Sequence, residues 1–328
     1  MKVAVFSTQP HDRQFLQAEE NSHEWVFFEN HLREATASLA EGCDAVCVFV
    51  NDDLSESCLK KLHELGIRLI ALRCAGFNNV DLPAAKELGL TVLRVPEYSP
   101  YAVAEHTLAL LLALNRHIHK AYTRVRDGNF SLNGLMGFDL RGKTVGVIGV
   151  GKIGSVFCDL LSGFGVKLLA YDPTQEAGTE VDGLRFTDLD TIFSESDVIS
   201  LHCPLTPETH HVIDAESLAK CKDGLYLVNT SRGGLVDADA AIQSLKSGKL
   251  GGLALDVYEE EAGLFFEDCS DDIIGDDILM RLTTFPNVLL TSHQAFFTHE
   301  AVSEIARVTH DNLDVFEQGG DYSGTEVS

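Results

Sequence analysis

The sequence predicts an α/β fold made of two parallel-sheet domains, one of them inserted into the other. Short apolar runs alternate with helical stretches along most of the 328 residues, which is typical of parallel strands joined by helices. A glycine-rich turn that opens one domain lies in the middle of the chain, at residues 149–154, and not at its start. An amphipathic helix at 301–317 follows that domain and is expected to return to the first.

The first domain is predicted from five short apolar runs bounded by turn signals, which indicate buried strands. Pro96 and Pro100 mark a boundary, and residues 101–126 then form one long predicted helix. The first half of this helix is apolar nearly all round, which predicts burial on more than one side, between domains or between subunits. The five runs are residues 3–6, 25–28, 45–50, 68–72 and 91–95.

The second domain opens with an apolar strand at 144–148, followed by the turn Gly149-Val150-Gly151-Lys152-Ile153-Gly154 and a helix to about residue 164. Its three glycines allow a tight turn, a close approach of backbone to a pyrophosphate, and packing of helix on strand. The helix N-terminus offers N–H groups and a positive dipole end to phosphates. This spacing is typical of a Rossmann-like, dinucleotide-binding domain.

The strand at 167–171 ends at Asp172, 18 residues after the last glycine of the turn. An acid at this position can accept hydrogen bonds from the diol of an adenine ribose and would repel a 2′-phosphate. The sequence therefore predicts NAD as the cofactor. Further strands are predicted at 198–201, 225–228, 252–255 and 288–290.

Composition excludes several classes of function. The formal net charge of −25 argues against nucleic acid or an anionic membrane as a partner, so an anionic substrate would need a local cation. No apolar run approaches the ~18 residues of a membrane span. Eight scattered cysteines are expected as free thiols in a reducing cytoplasm, and the absence of His-Glu-x-x-His and EF-hand patterns gives no indication of a metal.

Ligands bind at the carboxyl ends of the strands in an open parallel sheet, so the residues that follow each run matter most. Arg232 follows one run, an acidic stretch at 259–261 follows the next, and His293 follows the last. An arginine fork matches a carboxylate with two hydrogen bonds, and a histidine titrates near neutrality. These two residues suit hydride exchange between NAD and a hydroxy or keto acid, in which a carboxylate must be held and a proton moved.

A carboxylate beside His293 would favour the protonated imidazole, but spacing alone does not choose among Glu259, Glu260 and Glu261. His202 also follows a strand and is the main alternative to His293, although its place before Pro204 suits lining the cofactor better. Among the other histidines, His106 lies inside the apolar helix and is expected to be structural or at an interface, whereas His210 and His211 are expected in a loop.

Together these residues resemble the D-2-hydroxyacid dehydrogenase family over essentially the whole chain. The family motifs are the 149–154 turn with Tyr171-Asp172-Pro173, His202-Cys203-Pro204-Leu205-Thr206, Asn229-Thr230-Ser231-Arg232-Gly233, Asp256-Val257-Tyr258-Glu259 and Ser292-His293-Gln294-Ala295. Three further stretches resemble the fermentative, pyruvate-reducing branch of the family: residues 73–81, residues 95–100 and the acidic insertion at 264–268. One departure is Ser292, where the family pattern has Pro or Gly, and we expect it to alter the loop slightly and not the chemistry.

The resemblance implies two Rossmann-like or flavodoxin-like domains. Residues 1–100 and 298–328 would bind substrate, and residues 101–297, including the 101–126 helix, would bind NAD, with a hinge over a cleft where the chain crosses between them. It also implies reversible hydride transfer between NADH and pyruvate, giving (R)-lactate, in a homodimer or a dimer-based oligomer formed through the long helix.

The resemblance further assigns roles to individual residues. Arg232 would bind the substrate carboxylate and His293 would be the acid/base, with Glu261 as its partner. Ala75 and Gly76 would offer backbone N–H groups to the carboxylate, and Tyr98 and Phe296 would line the substrate pocket. The implied cofactor contacts are Gly149, Gly151, Lys152, Ile153 and Gly154 around the pyrophosphate, Asp172 at the ribose, Cys203 and Pro204 beside the adenosine, Thr230 and Asp256 near the nicotinamide, and Ser231.

Two alternatives stay open. The same fold and chemistry could accept a branched or hydroxylated 2-ketoacid, since one methylene is worth only ~1–3 kcal/mol of discrimination. The chain could instead be a non-enzymatic NAD-sensing protein of the same fold, similar to the C-terminal-binding-protein corepressors. This second alternative predicts a partner-peptide groove in the first domain, and neither a basic patch nor a long disordered tail supports it.

Overall fold

The computed structural model describes residues 1–18 and 23–327. The strands are β1 (Lys2–Val5), β2 (Glu24–Phe27), β3 (Ala45–Val48), β4 (Leu69–Leu72), β5 (Thr91–Leu93), β6 (Thr144–Ile148), β7 (Lys167–Tyr171), β8 (Glu180–Val181), β9 (Leu184–Phe186), β10 (Val198–Leu201), β11 (Leu225–Asn229), β12 (Leu250–Leu255) and β13 (Val288–Leu290). The α-helices are α1 (Pro10–Ala18), α2 (Glu56–Glu64), α3 (Leu82–Glu87), α4 (Pro100–Asn115), α5 (Ile118–Arg126), α6 (Lys152–Ser162), α7 (Leu189–Glu195), α8 (Ala215–Lys220), α9 (Ala238–Ser247), α10 (Asp277–Thr283) and α11 (His299–Gln318).

The chain divides into two compact units, one made of residues 1–99 and 297–328 and the other of residues 100–296. In the first unit a parallel sheet has the order β2-β1-β3-β4-β5, and its central strands are buried on both faces. Helix α11, from the end of the chain, packs against α1 and β4 in this unit. Continuous apolar strands such as Ala45–Val48 are what a sheet covered on both faces requires.

The second unit contains an eight-stranded sheet in the order β13-β12-β11-β10-β6-β7-β9-β8. Every neighbouring pair is parallel except β8 and β9, a short hairpin that the apolar pattern did not predict. One face carries α4 and α6, whose Leu111 and Phe157 are fully buried against it. The expected α/β class with parallel sheets is confirmed.

The prediction of one continuous helix at 101–126 is wrong, because the structure has two helices there, α4 and α5. His117 takes a left-handed conformation (φ 51°), which ends the regular hydrogen-bond ladder. The side-chain amide of Asn115 donates to the carbonyl of Phe138 and accepts from its N–H, at 2.8 and 2.9 Å. This pairing fixes the end of α4. Among the described residues no helix has the length and hydrophobicity needed to cross a bilayer.

Candidate active site

The register of the eight-stranded sheet aligns the ends of six strands. Ile148 of β6 lies opposite Tyr171 and Leu201, and the row continues through β11 and β12 to Leu290 of β13. The residue that follows each strand therefore falls on the same edge. These residues are Gly149, Asp172, His202, Thr230, Asp256 and Thr291. The expectation that the strand ends converge is confirmed, and the edge brings together the segments that carry Arg232, Glu261 and His293.

The glycine turn after β6 is shaped by close backbone approaches. Gly149 has φ 92°, and a Cβ there would lie 2.6 Å from the backbone nitrogen of Cys203. At Gly154 a Cβ would lie 2.1 Å from the Gly149 carbonyl oxygen. A side chain at Gly149 would therefore clash with the backbone that follows β10, and one at Gly154 would push α6 away from the end of β6. A Cβ at Gly151 would meet nothing within 4 Å. The turn is thus packed against other backbone at Gly149 and Gly154, and it has free space beside Gly151, where α6 begins.

Asp172 joins the glycine turn to the end of β7. Its carboxylate accepts hydrogen bonds from the N–H of Val150 at 2.9 Å and from the N–H and hydroxyl of Thr174 at 3.0 and 2.7 Å. Burial alone would raise the pKa of Asp172, but the hydrogen bonds from Thr174 and Val150 outweigh it and lower the pKa. A carboxylate held ionised beside an open helix N-terminus fits a dinucleotide whose ribose carries two free hydroxyl groups.

The loop after β11 presents Arg232. Asn229 holds it by donating from its side chain to the Arg232 carbonyl at 2.8 Å and by accepting from the N–H of Ser231 at 3.0 Å. The Ser231 hydroxyl also donates to the carbonyl of Cys203 at 2.7 Å. A Cβ at Gly233 would lie 2.0 Å from the carbonyl carbon of Tyr258. The Arg232 loop therefore packs directly on the backbone that leads to Glu261.

His293 and Glu261 form a hydrogen-bonded pair. The His293 Nδ1 lies 2.8 Å from one carboxylate oxygen of Glu261, and the other oxygen accepts from the N–H of Tyr258 at 3.0 Å. The side chains are 19% and 25% exposed, so the imidazole has access to solvent while its partner is fixed. His293 has a left-handed φ of 52°, a backbone strain of the kind found at functional sites. Of the three candidate glutamates, Glu261 is the one placed beside His293.

Asp256 holds the His293 loop in place, a role that the sequence did not indicate. Its carboxylate is fully buried and accepts from the N–H groups of Gln294 and Ala295 at 3.0 and 2.8 Å. It also accepts from the Thr291 hydroxyl, and His106 of α4 lies 3.4 Å away. Burial would raise the pKa of Asp256, but these hydrogen bonds lower it. The carboxylate thus remains ionised inside the protein, where it stabilises the turn.

His202, the main alternative to His293, differs in its surroundings. Its ring packs on Phe157 with centroids 5.0 Å apart, and its Nε2 lies 2.8 Å from the Ser200 hydroxyl. Burial lowers the pKa of His202 to about 3, so the ring is neutral near pH 7 and has no proton to donate as an imidazolium. This geometry favours a packing role under the glycine turn.

The other predicted cofactor contacts lie along the same edge. Thr230 is buried, and its hydroxyl is 2.7 Å from that of Thr107 in α4. Cys203 is buried, and burial raises the pKa of its thiol to about 11. Of the remaining contacts in this group, Lys152 and Ile153 lie within the glycine turn, where α6 begins, and Pro204 lies in the loop after β10.

The predicted substrate contacts are divided between the two units. Phe296 belongs to the second unit and is partly exposed, whereas Ala75, Gly76 and Tyr98 belong to the first. Within the first unit, Arg94 donates to the Ala75 carbonyl at 2.9 Å. The roles of these four residues stay predictions.

Known proteins are similar to this chain along its length. Residues 108–295 match the NAD binding domain of the D-isomer specific 2-hydroxyacid dehydrogenases. The D-lactate dehydrogenase of Escherichia coli K12 is 54% identical and is aligned over 97% of this chain and 98% of its own. The solved pyruvate reductase of Chlamydomonas reinhardtii superposes with a TM-score of 0.92 at 42% identity, covering 98% of each chain. The NAD-complexed D-isomer specific 2-hydroxyacid dehydrogenase of Lactobacillus delbrueckii superposes with a TM-score of 0.82 at 32% identity, covering 100% of each chain.

Proposed function

Because this chain belongs to the D-isomer specific 2-hydroxyacid dehydrogenase family and is an NAD-dependent oxidoreductase acting on a CH–OH group, we propose that its reaction is that of a D-lactate dehydrogenase. It would reduce pyruvate to (R)-lactate and catalyse the reverse oxidation. The observation that carries this proposal is the 2.8 Å contact between His293 and Glu261 on the sheet edge that also bears Arg232.

Arg232 is the group proposed to bind the substrate carboxylate. Its loop is held by Asn229 and Ser231, so the guanidinium starts from a defined backbone position. The planar fork can form two parallel hydrogen bonds to a carboxylate, which orients the substrate as well as holding it. A protein with a formal charge of −25 needs such a local cation to bind an anion.

His293 is proposed to supply the proton. During reduction its Nε2 would donate to the carbonyl oxygen, and during oxidation it would accept the hydroxyl proton. Glu261 contacts the Nδ1 side of the ring, where a carboxylate stabilises the imidazolium and fixes its orientation. Since the Tyr258 N–H holds the second oxygen of Glu261, the carboxylate is oriented before substrate arrives.

The residues around the glycine turn fit NAD. The open position at Gly151 and the first N–H groups of α6, at Lys152 and Ile153, suit a pyrophosphate, and Asp172 suits a ribose diol. NAD when bound supplies the hydride for reduction and accepts it in the reverse direction. Asp256 is best assigned as a positioning residue, since its carboxylate is fully buried and occupied by the His293 loop.

The choice of pyruvate is supported by the relatives named a D-lactate dehydrogenase and a pyruvate reductase. A branched or hydroxylated 2-ketoacid would use the same Arg232 and His293 and differ only in contacts to its side chain, near the proposed Tyr98 and Phe296. A non-enzymatic NAD sensor would have no use for an oriented acid/base pair, and the contact between His293 and Glu261 favours the enzyme.

A steady-state screen tests the proposal. The purified chain is assayed with NADH against pyruvate, 2-ketobutyrate, hydroxypyruvate and branched 2-ketoacids, with chiral analysis of each product. We expect the highest kcat/KM with pyruvate and (R)-lactate as the product. A higher kcat/KM with a larger ketoacid than with pyruvate would overturn the choice of pyruvate as the preferred substrate. NADH binding without turnover of any ketoacid would overturn the enzymatic assignment.

We also propose that the chain forms a homodimer, or an oligomer built from dimers, through α4 and the segment after it. This region exposes several large apolar side chains, a pattern that marks interaction surfaces. They are Tyr101, Ile118, Tyr122, Val125, Phe130, Leu132 and Met136. Light scattering during size-exclusion chromatography is expected to give twice the 35.8 kDa chain mass or an even multiple, and a monomer would contradict the assignment.

A further inference from the structure

Two neighbouring histidines outside the proposed catalytic site point toward one glutamate. The Nε2 of His210 lies 3.2 Å from a Glu259 oxygen, and the Nε2 of His211 lies 3.2 and 3.0 Å from its two oxygens. The rings stack with centroids 3.9 Å apart. The three donor atoms lie within 4.8 Å of one another. Two imidazoles thus present the same nitrogen to a common point beside a carboxylate.

The backbone fixes this arrangement. The N–H of His211 donates to the Gly234 carbonyl at 2.8 Å, and that of His210 donates to the Thr206 carbonyl at 2.9 Å. Glu259 follows Tyr258, whose backbone packs on Gly233. His211 and the backbone leading into Glu259 are therefore held against residues 233–234, whereas His210 is held by Thr206, and Glu259 is 48 positions from His211 along the chain. The cluster is built by the fold and does not depend on one flexible loop.

We propose that His210, His211 and Glu259 form a binding site for a divalent transition-metal ion, zinc above all. Two imidazoles and a carboxylate are a donor set that zinc uses in proteins, with a fourth position for water. At zinc–ligand distances of 2.0–2.1 Å, tetrahedral donors are about 3.3 Å apart. The separations of 3.0 to 3.2 Å between imidazole and carboxylate are close to that value, so the ion could enter with small side-chain movements.

Solvent can reach all three ligands. The side chains of His210, His211 and Glu259 are 49%, 32% and 33% exposed, which leaves an entry path and room for the fourth ligand. Among the described residues one other group of this kind, His23 with Asp314 and Glu317, lies in the first unit. There the His23 side chain is buried, and the N-terminal ammonium donates to Glu317 at 2.9 Å, so a cation already occupies that glutamate. We therefore expect one zinc ion per chain.

Isothermal titration of zinc into the metal-free, full-length protein tests the site. One ion per chain is expected, with affinity reduced at least tenfold by His211→Ala and by Glu259→Gln, since each removes one of three protein ligands. Glu260→Gln is the matched control, because it removes a neighbouring exposed carboxylate outside the cluster. Unchanged stoichiometry and affinity in both ligand variants would overturn the proposal.

Cobalt substitution gives a second readout. Tetrahedral Co²⁺ absorbs strongly in the visible range, whereas octahedral Co²⁺ held loosely at a surface absorbs weakly. The wild type and Glu260→Gln are expected to show the intense band and His211→Ala to lose it, with far-ultraviolet circular dichroism confirming that each variant is folded. Loss of zinc binding in His293→Ala would also overturn the proposal, by placing the ion at the acid/base pair.

Discussion

One short segment, residues 258–261, serves two histidine–glutamate arrangements that differ in burial and partner number. Glu261 meets the single imidazole of His293, and the Tyr258 N–H orients it. Glu259 meets the two imidazoles of His210 and His211, and both rings are more exposed than that of His293. A partly enclosed imidazole with one oriented carboxylate suits proton transfer, whereas two exposed imidazoles around a carboxylate suit an ion. The two proposals therefore rest on the number and the solvent access of the imidazoles, since both arrangements use the same residue types.

The largest expected effect separates the two arrangements directly. His293→Ala should lower kcat for pyruvate reduction by at least ~10²-fold, the low end for general acid–base catalysis. The matched His211→Ala should keep kcat within about twofold and lose zinc binding instead. Steady-state kinetics with NADH measures both. Near-normal turnover in His293→Ala would break the comparison, because it would remove the acid/base role from the partly enclosed pair.

The two glutamates give the second test. Glu261→Gln should lower kcat about 10- to 100-fold, since a hydrogen bond to a charged group contributes about 1.5–3 kcal/mol. KM for pyruvate should change little, because Glu261 acts on the imidazole and not on the carboxylate of the substrate. Glu259→Gln, two residues away, is the matched control and should leave kcat intact. Equal losses of kcat in Glu261→Gln and Glu259→Gln would contradict the specific role of Glu261, because they would show that any substitution in residues 258–261 lowers activity.

Arg232 tests whether the loop packed on this segment binds the substrate. Arg232→Lys keeps the charge but loses the fork, so KM for pyruvate should rise about tenfold, the effect of about 1.4 kcal/mol. The exposed Arg185 of β9 provides the control, since Arg185→Lys should leave KM unchanged. An unaltered KM in Arg232→Lys would assign the carboxylate to another cation.

The smallest expected effect lies at the other end of the strand-end row. Asp172→Ala should reduce the preference for NADH over NADPH about fivefold, the effect of about 1 kcal/mol from one partly exposed charge. Because the pKa of Asp172 is lowered, its carboxylate stays ionised even as the pH falls toward the ordinary pKa of an aspartate. The preference of the wild type for NADH over NADPH should therefore persist in mildly acidic buffer. Thr174→Val keeps the carboxylate and should keep the preference. Identical cofactor ratios in Asp172→Ala and the wild type would refute the assignment.

The sequence alone predicted features that depend on local pattern. Buried parallel strands are visible in the sequence as short apolar runs. The strand ends just before Asp172, Asp256 and Thr291 could therefore be located to within a residue. The glycine turn could be recognised because a tight turn and close packing restrict which residues can occupy it. The candidate site residues at the carboxyl edge of the sheet could then be chosen from the residues that follow each strand.

Features that depend on distant partners could not be predicted. The break at His117 accompanies the pairing of Asn115 with Phe138, 23 residues further on. Asp256 was expected near the nicotinamide, but its contacts with Gln294 and Ala295 appear only once β12 and β13 lie side by side. The cluster of His210, His211 and Glu259 likewise has no sequence spacing that would reveal it. Strand patterns reveal where a sheet ends, and tertiary contacts decide which side chains meet there.

The discontinuous first unit has a consequence for the order in which the protein can mature on the ribosome. Residues 100–296 are synthesised as one uninterrupted stretch, so the unit that carries Asp172, Arg232 and His293 can fold once its last residue has emerged. The first unit starts earlier but lacks α11 until residues 299–318 have been made. Residues 1–99 are therefore made before the second unit but completed after it, and until then their sheet lacks the cover of α11.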